Sequence, residues 1–145
     1  MRIGVLVVVA AAWSTAVGCN NTVRQKELAL NGMEALRDAY NRGSCSEIYD
    51  SAGERFIRSQ SREGWMSACE GVRRESGQWR EFNSGMFTTW PVGSVGIVVV
   101  EGMARFDRKA CHLRTDWSIE RGRARLYNFL LKCDGREISL PGFNP

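Results

Sequence analysis

The 145-residue sequence is short of the residues that most enzyme chemistry needs. It has a single histidine, His112, which leaves little material for a zinc site or a Ser/His/Asp triad. Its cysteines show no Cys-x-x-Cys spacing, and neither a P-loop nor a Gly-x-Gly-x-x-Gly fingerprint occurs. No metal and no cofactor is expected. Lysine is scarce as well: Lys26, Lys109 and Lys132 are the only three among 20 cationic residues. The net charge of +4 is therefore almost all arginine, interspersed with 16 acidic residues. Runs of like charge never exceed a few residues, which is not the footprint of a nucleic-acid-binding surface. No apolar run reaches the roughly 20 residues of a transmembrane helix. What is present, 43% hydrophobic and 25% charged residues, fits one compact domain with a core of ordinary size.

The first residues carry a compartment signal. Arg2 precedes the apolar stretch Ile3-Gly4-Val5-Leu6-Val7-Val8-Val9-Ala10-Ala11-Ala12-Trp13, the charged and apolar regions of a secretory signal peptide. Ala16-Val17-Gly18-Cys19 follows and resembles the bacterial lipobox, with Ala16 where leucine is usual. The resemblance implies a signal peptide over 1–18, acylation of Cys19, and a lipidated tether over 19–24. Asn20 at the next position implies the periplasmic face of the outer membrane, by likeness to enterobacterial sorting. Cysteine arithmetic agrees. Five cysteines is an odd number, and removing Cys19 leaves Cys45, Cys69, Cys111 and Cys133. These four allow three pairings in an oxidising compartment.

The remaining chain divides into a helical first half and a strand-rich second half. Ala29, Met33, Leu36 and Tyr40 recur at helical spacing from about Val23 to Tyr40. A short helix is expected from Cys45 to about Ala52, another turn over Glu54–Ser59, and a third helix capped by Ser61. The face of that third helix is Trp65, Cys69, Val72 and Ser76, and Gly77 ends it. The period then changes from 3.6 to 2. Strands are expected at about 78–89, 95–106, 110–119 and 124–133, with the domain spanning 25–139 and an irregular tail over 140–145.

Turn chemistry extends the reading to register. A three-residue loop Arg121-Gly122-Arg123 with left-handed glycine sets Cys111 opposite Cys133, Leu113 opposite Leu131, Thr115 opposite Phe129 and Trp117 opposite Tyr127. A two-residue turn at Asp107-Arg108 adds Phe106, Ala104, Val100 and Val98 to the same face. This geometry pairs Cys111 with Cys133 and, by elimination, Cys45 with Cys69.

The order of three helices and then a curved antiparallel sheet resembles the NTF2-like, or cystatin-like, fold. Ala39-Tyr40, Ser46-Glu47-Ile48-Tyr49-Asp50, Phe56, Ser61-Arg62-Glu63-Gly64-Trp65, Arg73 and Gly77 are similar to small exported NTF2-like domains of unknown function. The resemblance implies an α+β cone, N-terminal helices packed on a curved four-stranded antiparallel sheet. Its motifs are packing motifs, and the fold serves isomerases, dehydratases, ligand binders and adaptors alike.

Two surfaces are candidate sites. Tyr40, Tyr49, Trp65, Trp117 and Phe129 would line an apolar pocket in the cone, with Tyr127 and Val98. No inward carboxylate or histidine accompanies them, and Asp50 is expected to bond backbone at a helix end. His112 and Asp116 lie roughly 13 Å apart on one strand, too far for a dyad, and are expected on the outer face. That face gathers Glu101, Met103, Arg105, His112, Arg114, Asp116, Leu126, Asn128, Leu130 and Lys132, with Glu101 facing Arg114. Mixed charge around exposed Met and Leu suits a protein interface. The expected function is a non-enzymatic, lipid-anchored periplasmic binding module. Its partner would be an envelope protein, as for an immunity or inhibitor lipoprotein, or a second copy. A small-molecule binder or isomerase using the cone is the alternative.

Overall fold

The computed structural model describes residues 16–92, 95–134 and 136–139. Residues 1–15 of the expected signal peptide and the expected tail 140–145 lie outside the described residues. Helical periodicity in the first half produces α1 (Ala16–Arg42), α2 (Cys45–Ser51), α3 (Glu54–Ser59) and α4 (Arg62–Ser76). The first helix begins before Val23, so residues 19–24, expected as a tether, continue it. Ala29, Met33, Leu36 and Tyr40 form its buried stripe, and Trp65, Cys69, Val72 and Ser76 that of α4. Ser61 caps α4 by accepting the Gly64 N–H at 3.0 Å. Among the described residues, no helix is long and apolar enough to cross a membrane.

The second half forms an antiparallel meander of β1 (Trp79–Val92), β2 (Val95–Phe106), β3 (Ala110–Glu120), β4 (Arg123–Cys133) and β5 (Arg136–Ser139), adjacent in that order. The short fifth strand, which pairs with Leu130–Cys133, adds to the four expected. The β2–β3 register is as expected, with Glu101 opposite Arg114 and Val98 opposite Trp117. Between β3 and β4 the expected register holds from Cys111–Cys133 to Asp116–Asn128 and then shifts: Trp117 pairs with Leu126, not Tyr127.

The turn explains the shift. Arg121 and Gly122 both have positive φ, 50° and 75°, the two-residue type I′ connection whose twist matches paired strands. The three-residue loop is thereby corrected. Closing on two residues leaves Tyr127 as the extra residue of a β-bulge. Beyond the bulge Leu126 turns into the core, although the expected register had it outward.

Both disulfides are formed: Cys45–Cys69 joins α2 to α4 with Cα atoms 6.1 Å apart, and Cys111–Cys133 joins β3 to β4 at 4.4 Å. The core cluster among the described residues runs from Ala29 to Cys133. A chain beginning at residue 20 therefore holds that whole core and both bridges.

The α4–β1 junction depends on Asp107 in the β2–β3 turn. Its carboxylate accepts the Gln78 N–H at 2.8 Å and Arg80 Nε at 2.6 Å. Gly77 beside it has φ +81° and ψ −153°, a backbone conformation nearly confined to glycine. A Cβ there would lie 2.6 Å from Asp107 Oδ2. The Gln78 N–H and then the Arg80 guanidinium hold the Asp107 carboxyl below the usual carboxylate range. A depressed folded pKa means the stabilisation is present above the unfolded value of about 3.9 and is lost as pH falls through the folded value. Asp107→Asn should therefore lower the urea midpoint at pH 7 and leave a shallower decline below about pH 4 than in wild type.

Candidate functional site

At Tyr40, Trp65 and Phe129 the space between helices and sheet is nearly filled. Tyr40, Trp65 and Phe129 do line a cavity between helices and sheet, with Leu36, Leu113 and Leu131, but its volume is about 20 Å³, room for roughly one water. Small-molecule sites usually need some 300 Å³ or more. The remaining polar groups of the aromatic candidates are taken up internally. Tyr40 Oη donates to Gly77 O at 2.9 Å, Trp65 Nε1 to Cys45 O at 2.7 Å and Trp117 Nε1 to Thr115 Oγ1 at 2.8 Å. Burial pushes the Tyr40 hydroxyl pKa far up, which favours its role as donor.

Tyr49 is not in the cavity; it ties α3 and its exit through Ile57 O and Gln60 O. Trp117 lies away from it against Gly32 of α1, beside an open groove of about 240 Å³. That groove's acidic residue, Glu47, is paired with Arg42 at 3.0 Å. Asp50, expected to bond backbone, instead pairs with Arg62. Tyr127, expected inside, is half-buried and meets α3: its hydroxyl accepts from Arg55 at 2.5 Å and its ring lies under the same guanidinium.

The opposite face of the sheet carries the other candidates. Glu101, Met103 and Arg105 of β2, His112, Arg114 and Asp116 of β3, and Asn128 and Leu130 of β4 share it through the observed registers. Met103 and Arg105 are exposed, whereas Glu101, His112, Arg114, Asn128 and Leu130 are half-buried. The pairing of charges differs from expectation. His112 Nε2 lies 2.9 Å from Glu101 Oε1, and Arg105 reaches Glu81 on β1 at 3.6 Å. Arg114 turns along its own strand to Asp116, with Nε 3.0 Å from Oδ1.

Asp116 is the chief correction. It was expected at the surface but is 7% exposed. Ile97 and Val99 of β2, buried outside the main core cluster, form a small second apolar layer on this face. Asp116 is directly across from Val99. Buried carboxylates need partners, and Asp116 takes Arg114 and the Asn128 amide, at 3.3 Å. The Asp116 carboxylate in turn raises the Arg114 pKa above its ordinary value. Arg114 is thus a positioning residue for Asp116, not a free probe of a partner.

Sequence reasoning expected a strand at about 78–89 but assigned none of its residues to the outer face. Met86, Thr88, Trp90 and Val92 sit opposite Glu101, Val99, Ile97 and Val95, on the same face. Met86, Trp90 and Val92 are exposed by 50, 57 and 52%. Two register shifts, between Trp79 and Glu81 and between Ser84 and Met86, hide the pattern, because the alternation through Phe82 is out of phase with that from Met86 onward. The alternation from Met86 onward, with Phe87 turned to the core, is the signal that could have revealed it.

Removing one member of the Arg114–Asp116 pair should destabilise more than removing both, since one change leaves a charge without its partner. Arg114→Gln should cost about 1–2 kcal/mol, a value reduced by the exposure of the guanidinium. Arg114→Gln combined with Asp116→Asn should recover at least half of that loss in urea denaturation.

Compared with known protein families, characterised proteins and solved structures, the chain matches none.

Proposed function

We propose that this protein is a lipid-anchored, non-enzymatic binding module of the bacterial periplasm, NTF2-like in architecture, whose outer sheet face contacts an envelope protein. The observation that carries this reading is the contrast between the two sheet faces. At its aromatic centre the inner one leaves a cavity of about 20 Å³, with an open groove of about 240 Å³ beside Trp117, whereas the outer one exposes Met86 and Met103 beside partly buried charge pairs. Flexible thioether side chains ringed by arginine and carboxylate are favoured at protein interfaces. The lipobox-like Ala16-Val17-Gly18-Cys19 and the helix-first order before the sheet support the anchor and the NTF2-like kinship. The role of an immunity or inhibitor lipoprotein, with an envelope protein as its target, fits such a small exported domain.

Met86→Asp with Met103→Asp should remove the envelope partner from affinity capture without lowering the urea midpoint, because both side chains are solvent-exposed. A loss of about tenfold or more is expected if either methionine is a buried anchor in the complex. Equal recovery of every partner by variant and wild type, at equal folded concentration, would sink the sheet-face reading. The anchor has its own test. Cys19→Ser should move the protein from the membrane fraction to the soluble periplasm, and an unmodified N-terminal peptide mass in wild type would overturn acylation.

A further inference from the structure

The β1–β2 and β3–β4 connections lie at the same end of the meander, because successive strands alternate in direction. The first described turns of α1 reach that end too. A side chain at Gly122 would come within 3.9 Å of the Arg24 guanidinium, and one at Gly96 would meet Gln25. Lys26 Nζ sits 4.2 Å over the Phe87 ring. The later part of α1 lies at the other end, where Tyr40 bonds Gly77 and Asn41 bonds Trp79. The long helix therefore spans the molecule, and its N-terminal part marks one pole.

Two kinds of side chain concentrate at that pole. Arg121, Arg123 and Arg125 line an open depression of about 770 Å³ together with Val95, Ile119 and Glu120. With Arg24 and Lys26, residues 21–27 and 119–125 carry five cations against Glu27 and Glu120. None of the five is in an ion pair among the described residues. The second kind is apolar and protrudes: Val23, Trp90 and Val92 are each more than half exposed. Exposed tryptophan and valine at the same pole as unpaired arginine is the chemistry of a bilayer interface, where indole sits at headgroup depth and guanidinium binds phosphate.

We propose that this pole is a membrane-docking surface for anionic phospholipid, with Trp90 and Val92 entering the headgroup layer and Arg24, Arg121, Arg123 and Arg125 binding lipid phosphates. The direction of the chain favours a bilayer over an acidic soluble partner. Cys19 precedes Arg24 by five residues of the same helix, about 7.5 Å along its axis. An anchor at Cys19 would hold this pole against the bilayer, with Met86 and Met103 further from it along the same sheet face. The inference shares its membrane location with the function proposed above. It does not require the acyl chain, because headgroup binding by arginine and tryptophan acts on its own.

The test uses the chain from residue 20 to 145, which retains the whole core and both disulfides and lacks Cys19 and Trp13. Its partition is measured by sedimentation with vesicles of phosphatidylcholine alone and of phosphatidylcholine with 30% phosphatidylglycerol. The protein should bind the anionic vesicles at low salt, release as salt rises, and bind the neutral ones weakly. Trp65, Trp79 and Trp117 are buried, so quenching by brominated lipid reports Trp90, and that emission should be quenched. Arg121→Gln, Arg123→Gln and Arg125→Gln together should lower the partition coefficient on the order of a hundredfold, from about fivefold per arginine. Arg24→Gln with Lys26→Gln, on a separate element, should act in the same direction.

Equal binding to both vesicle types, an unquenched Trp90, or arginine variants that bind as wild type would overturn the proposal. Because this chain has no lipidation site, such a failure leaves acylation to be decided by the N-terminal peptide mass. An unmodified Cys19 would leave the vesicle result standing.

Discussion

One extra residue in β4 sets much of this molecule. From Arg123 to Leu126 the sequence alternates arginine with apolar residues, and from Asn128 to Cys133 it alternates again, one position out of phase. Without a bulge at Tyr127, the register required by the Cys111–Cys133 bridge would turn Arg125 inward and Leu126 outward. Burying an unpaired guanidinium costs several kcal/mol, and exposing a leucine forfeits about 2 kcal/mol of burial. The bulge avoids both. It permits the two-residue Arg121-Gly122 turn and keeps Leu126 in the core. It also leaves the Leu126 carbonyl to accept the Gly53 N–H at 2.8 Å. That bond, with the Arg55–Tyr127 contact, docks the link between α2 and α3 on the sheet edge. The same phase change turns Arg123 and Arg125 out beside Arg121, which makes one pole of the molecule basic.

The filled cone has a related consequence. Trp65, Phe129, Phe56 and Tyr49 form a chain of edge-to-face contacts, with ring centroids 5.2–6.2 Å apart. Each aromatic hydroxyl or indole N–H in this interior is spent on a backbone carbonyl or a neighbouring side chain. Among the described residues, the buried side-chain acceptor left without a partner is Gln60 Oε1, at the exit of α3. The outer sheet face combines a second apolar layer, Ile97 and Val99, with a partnered buried carboxylate. Its exposed methionines and the basic pole beside it are separate surfaces on one rigid sheet.

Much was legible in the sequence because it depended on local repetition. The stripes Ala29-Met33-Leu36-Tyr40 and Trp65-Cys69-Val72-Ser76 have helical period and are buried as that period requires. The change to period 2 after Gly77 marks the sheet, and the even count of cysteines after Cys19, with hairpin register, gives both disulfides. Ser61 is an N-cap by chemistry alone.

What the sequence did not decide depended on which groups met through space. A carboxylate in a strand alternating with apolar residues reads as surface, and Asp116 is buried because Val99 lies across from it and Arg114 and Asn128 satisfy it. Register shifts within β1 and β4 change the phase of alternation, and a phase is fixed only when two strands pair. The filling of the cone was likewise settled by the fit of aromatic volumes contributed by four separate elements. Local periodicity, caps and cysteine parity are properties of the chain itself; burial of a charge, the facing of an edge strand and the size of a cavity are properties of the packed whole.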